Sequence, residues 1–153
     1  MNQRISLQEI ATRLREQIDP ATGVNQILCA LDANYLASVQ DVSTWPLVIV
    51  GAQRSTPIAN GRGFTGLVAQ LVNVDFVIRV IVPRYVEGEA EEEDKLNRIC
   101  DAVADAVMGW RPTGASAPVT WQQSIDGPPE QSAMTVDLLL QTQVSYQYST
   151  RRG

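Results

Sequence analysis

Residues 134–148 read Met-Thr-Val-Asp-Leu-Leu-Leu-Gln-Thr-Gln-Val-Ser-Tyr-Gln-Tyr. Met134, Val136, Leu138, Leu140, Val144, Tyr146 and Tyr148 stand on one side of a two-residue alternation. Thr135, Asp137, Gln141, Gln143, Ser145 and Gln147 stand on the other. Successive side chains of a strand point to opposite faces, so the pattern predicts a long antiparallel strand with one face on a core and the other in water. Just upstream, Asp126-Gly127-Pro128-Pro129 is a turn signal that stops a shorter strand over Val119 to Ile125.

A second long β-rich stretch runs from Leu67 to Val82, with a bulge expected near Asn73. Val74, Phe76, Ile78, Val80 and Val82 share one face, and Asp75, Val77, Arg79 and Ile81 the other. Both faces are partly apolar, which predicts helices over one and a neighbouring subunit over the other. Between the two long strands, Leu96, Ile99, Cys100, Val103 and Val107 trace a helical stripe, with Lys95, Arg98, Asp101 and Asp105 away from it. Gly109 supplies the residue that ends such a helix.

At the N-terminus, Ser6-Leu7-Gln8-Glu9 fits a reciprocal capping box. Leu7, Ile10, Ala11, Leu14 and Ile18 follow at helical spacing, Arg13, Arg15 and Glu16 fall on the wet side, and Asp19-Pro20 closes the helix. Val24 to Leu31 is short and apolar and reads as a strand at its centre. Asp32 to Leu36 reads as a capped turn, and Trp45-Pro46 leads into Leu47 to Val50, a buried strand that Gly51 ends or bulges. Arg54 to Gly66 gathers Pro57, Asn60, Gly61, Gly63 and Gly66, the composition of an extended loop. These elements predict an α+β fold: an antiparallel or mixed β-sheet with two main helices packed on one face, in a single domain over residues 1–153.

Composition narrows the function. With 44% hydrophobic and 19% charged residues the chain is globular. Its greasiest stretch, Leu67 to Val82, is interrupted by Gln70, Asn73, Asp75 and Arg79 and falls short of the roughly 20 apolar residues of a membrane span. Met1 leads straight into a helix pattern without the basic start and apolar centre of a secretory signal, so a cytosolic site of synthesis is expected. Cys29 and Cys100 lie in apolar surroundings without disulfide or zinc spacing and read as buried free thiols. The formal net charge of -5 argues against grip on nucleic acid by phosphate neutralisation.

The chain has no histidine, which removes Ser-His and Cys-His nucleophiles and the commonest metal ligand. Gly61-Arg62-Gly63-Phe64-Thr65-Gly66 matches G-x-G-x-x-G, but it precedes a strand, whereas a dinucleotide site follows one and opens a helix. The acidic run Glu87 to Asp94 lacks the alternation of an EF-hand loop and reads as a solvated loop with a first helical turn, where carboxylates suit the helix dipole. Trp45, Trp110 and Trp121 read as core or sheet-covering side chains, and Arg111 as a helix-end cation. Thr150-Arg151-Arg152-Gly153 is a basic end on an acidic chain, frayed or docked on an acidic neighbour. No catalytic, cofactor or metal residue is expected.

The C-terminal half, Leu96 to Val107, then Gly109-Trp110-Arg111-Pro112, a spacer, Val119 to Ile125 and the alternating final strand, resembles the tail terminator proteins of long-tailed bacteriophages. The resemblance covers roughly residues 66–148 and, more weakly, the N-terminal helix. It implies a structural virion protein whose copies form a hexameric ring that caps the tail tube, ends its polymerisation and forms part of the head–tail interface. The implied partners are further copies of the chain, the tail tube protein and the head–tail connector or stopper, with DNA passing through the lumen without specific binding. The implied location is the virion tail or neck after assembly in the host cytoplasm. Candidate interface residues are Arg54, Arg62 and Phe64 in the first loop, Glu87, Glu89, Glu91 and Glu92 in the acidic run, and Arg151 and Arg152 in the tail. The rival readings are another neck or head-closure component, a small enzyme using carboxylates alone, and a monomeric ligand-binding module.

Overall fold

A computed structural model describes residues 4–24, 26–30, 46–60, 67–84, 89–127 and 133–149. Among them are helix α1 (Leu7–Gln17), a 3₁₀ turn (Pro20–Thr22), strands β1 (Gln26–Cys29), β2 (Leu47–Asn60) and β3 (Leu67–Pro83), helix α2 (Glu89–Val107), and strands β4 (Thr120–Asp126) and β5 (Ala133–Ser149). The strands form one five-stranded sheet in the order β1-β2-β3-β5-β4. β1 lies parallel to β2, and every other neighbouring pair is antiparallel. The expected α+β architecture is therefore the observed one, in its mixed-sheet form.

The two long alternating stretches of sequence meet. β3 and β5 pair from Leu67 with Ser149 to Pro83 with Ala133 without a register shift. At roughly 3.3 Å per residue, the 17 residues of β3 span about 56 Å. No bulge occurs near Asn73: the irregularities lie in β2, between Val50 and Gln53 and between Pro57 and Ala59. The first confirms the break expected at Gly51. The second falls where the sequence suggested a loop, because Arg54 to Asn60 continues β2 instead. Pro57 is tolerated there because beyond Val50 no described strand lies outside β2, so the missing N–H costs no ladder bond.

Both helices pack on one face. Leu7, Ile10, Ala11 and Leu14 of α1 and Leu96, Ile99, Val103 and Val107 of α2 close over Val48, Val50, Val74, Phe76, Ile78, Val80, Leu138 and Leu140. The Ser6 hydroxyl accepts from the Glu9 amide at 3.2 Å, as the cap predicts. The Glu9 carboxylate forms no reciprocal bond to Ser6; it accepts instead from the Thr113 amide and hydroxyl at 2.9 and 3.0 Å. It thus ties α1 to the connector after α2. Gly109 ends α2 at φ +78, a conformation that a Cβ would strain.

Candidate assembly surfaces

The sheet's far face decides what the molecule offers to partners. Toward one end, Leu47, Ile49, Ile81 and Ala133 make a second small buried cluster with Leu28 and Ala30. The middle of the face is polar and cross-linked from strand to strand. Arg79 donates to both oxygens of Asp137 at 2.7 and 3.0 Å, Gln141 donates to Asp75 at 2.8 Å, and Gln143 donates to Asn73 at 3.2 Å. Arg54 stands 3.8 Å from Asp75 on the adjoining strand. Of the side chains expected on this face, Ile81 is buried within its own chain and Asp75 and Arg79 are answered across the ladder, while Val77 is half-buried and Leu71 stays 39% exposed.

Of the residues singled out in the sequence, Arg54 lies on β2, in a strand and not in a loop, with its guanidinium in solvent. Glu89 begins α2, so the acidic run is helical from that residue on. Glu91 is exposed, but Glu92 is buried at 6% exposure, against the reading of a solvated run. The signal was present: Glu92 precedes Leu96 by four residues and Ile99 by seven, which puts it on the inward stripe. Arg62, Phe64, Glu87, Arg151 and Arg152 lie outside the described residues, as do Trp45 and the turn proposed over Asp32 to Leu36.

Two arginines assigned to the wet side of α1 have specific work. Arg13 donates to the Ala106 carbonyl at 2.9 Å and lies 5.4 Å from the centre of the Trp110 ring. It is the cation at the carbonyl end of α2, the role expected of Arg111, and it packs on the Gly-Trp-Arg-Pro turn. Arg15 donates to the Ile27 carbonyl at 2.6 and 3.1 Å and so satisfies one acceptor of β1. Thr142, which breaks the apolar series of β5, is buried and donates to the Ala117 carbonyl at 2.6 Å, pinning the connector to the sheet.

β4 behaves differently. All seven of its residues are exposed, and Trp121 stands in solvent instead of covering the sheet. Between β4 and α2 runs a groove of about 370 Å³ whose polar lining includes Arg84, Glu93, Asn97 and Asp126. No group of three His, Cys, Asp or Glu among the described residues could hold a metal ion. Cys29 is buried, and Cys100 is half-buried on α2, its thiol pushed up from 9.0 to about 11 by burial and then by the carboxylates of Asp101 and Asp126. A raised thiol is a poor nucleophile at neutral pH. No described helix is long and apolar enough to cross a membrane.

A long sheet clad by helices on one face, with a cross-linked polar far face and an exposed edge strand, defines an α+β scaffold whose prominent features are surfaces. The comparison with known families is specific. Residues 1–149 match the family model described as phage tail terminator protein, and the chain belongs to that family. Among solved structures, the chain is similar to one from the virion of a native gene transfer agent particle. That likeness has 20% sequence identity and a TM-score of 0.61 over 93% of this chain and 96% of the other, and it concerns the fold. No curated protein matches. The chain is thus a structural component of phage tails, and its family points away from catalysis.

Proposed function

We propose that the whole of residues 1–153 acts as one tail-terminator domain, copies of which close into a hexameric ring on the end of the tail tube. The ring ends tube polymerisation and presents its opposite side to the head–tail connector or stopper, and it is assembled in the host cytoplasm before joining the virion. The family match over residues 1–149 carries this reading. The Arg79–Asp137 pair on the far sheet face and a net charge of -5 fit passage of DNA without specific binding, since phosphate neutralisation needs a surplus of cations.

Negative-stain images of the purified protein, alone and with tail tubes, test the proposal. Closed end-on rings and one added layer at tube ends are expected, with light scattering giving six copies. Overlong tubes are expected when the protein is withheld. A protein that stays monomeric at high concentration and never decorates a tube end would overturn it.

A further inference from the structure

The strand order places β2 and β4 on opposite margins of the sheet once β1 ends opposite Val50. Each margin exposes large apolar side chains. Ile58, the extra residue of the second β2 bulge, is 46% exposed, near Leu71 of β3 at 39%. On the other margin, Trp121 and Ile125 of β4 are 53% and 46% exposed. The margins differ in sign. β2 carries Arg54, whose side chain is 82% exposed and only loosely held 3.8 Å from Asp75, and β4 ends in the exposed Asp126, which shares its groove with Glu93 and Arg84. On the margin formed by β1 the Arg15 guanidinium occupies the Ile27 carbonyl.

Identical patches meet about a twofold axis and make a closed dimer, whereas two unlike, complementary patches on opposite sides of a subunit associate head to tail. We propose that the β4 margin of one copy seats on the β2 margin of the next. By register Trp121 and Asp126 lie on the helix side of β4 and Ile125 on the far side, so Trp121 and Ile125 straddle the neighbour's β2 edge at Ile58 and Leu71 while Asp126 reaches across that edge to Arg54. Pro57 withholds an N–H from the β2 margin, and both strands are bulged, β4 between Trp121 and Gln123. The contact is therefore made by side chains and not by a continuous backbone ladder. This inference rests on the ring reading above and names the surfaces through which the ring closes.

Charge reversal tests the contact. Arg54→Glu and Asp126→Arg, made singly, are each expected to lower the assembled fraction about tenfold, and the double reversal to restore it, since like charges facing each other repel. Melting by circular dichroism verifies that each variant is folded. A cross-linking arm uses a Cys100→Ser background with Ile58→Cys and Ile125→Cys joined by a bismaleimide. The chain carrying both cysteines is expected to give a ladder of multimers, an equal mixture of the two single variants to give dimers only, and neither single variant alone to cross-link. Dimers from Ile125→Cys alone would overturn the proposal in favour of a twofold β4 contact. Rings that persist through both single reversals and yield no cross-links would overturn the contact while leaving the ring intact. Failure of the unaltered protein to assemble would overturn the ring reading itself, and this contact with it.

Discussion

The two faces of the β3–β5 ladder are built from alternate residues of the same strands, yet they are held by opposite means. On the helix side, Val74, Phe76, Ile78, Val80, Leu138 and Leu140 exclude water and are stabilised by burial, a force without direction. One residue along, Arg79 meets Asp137 and Asp75 meets Gln141 through directed bonds at the solvent boundary. The difference teaches what each face is for. A shift of one residue in register would exchange the two sets, so the apolar face holds the register and the polar face is free to be shaped by what it meets.

Substitutions on the two faces should therefore differ in size. Phe76→Ala removes a fully buried ring from the centre of the covered face and is expected to cost about 3–5 kcal/mol, read as a lowered urea midpoint. Thr142→Val leaves the covered face apolar but strands the Ala117 carbonyl, so a loss of about 1–3 kcal/mol is expected, together with faster amide exchange in residues 113–119. Asp137→Asn on the far face weakens one partly exposed ion pair. It should cost no more than about 1 kcal/mol, and the cost should shrink in high salt, as thermal melts at two ionic strengths would show. An Asp137 variant that proved more damaging than the Phe76 variant would break the comparison outright. An Asp137 variant with no salt dependence would mean that the bidentate bond, and not the charge, is what counts.

Much of this comparison was legible in the sequence. The alternation over Met134 to Tyr146 named the covered and wet faces, and that over Val74 to Val82 the face under the helices, because a period of two is a local property of an extended backbone. The helical stripe from Leu96 to Val107 and the stop at Gly109 were legible for the same reason. Composition misleads where the tertiary context overrides it. Arg54 to Asn60 has the makeup of a loop, but on the unpaired outer side of β2 a proline and a bulge are compatible with a strand. Glu92 shares the charge of its acidic neighbours, but its spacing to Leu96 puts it inside. Glu9 fits its own helix cap by spacing, yet the Thr113 amide and hydroxyl, 104 positions away, hold it instead. The candidate assembly residues were the least legible: Arg54 acquires meaning only from its place on a sheet margin opposite the one that carries Asp126.

The amino-acid sequence by itself determined the order of elements, the inward stripe of each helix, the two faces of the long strands and, through the lack of histidine, the poverty of catalytic options. Each of these follows from residues within a few positions of one another, where backbone geometry alone sets the spacing. Only the tertiary structure decided that β1 runs parallel to β2, that Arg13 and Arg15 take up carbonyls of Ala106 and Ile27, and that β2 and β4 occupy opposite margins. Those outcomes depend on which distant segments share a common core, and burial, being non-directional, leaves little trace of such partnerships in the order of the residues.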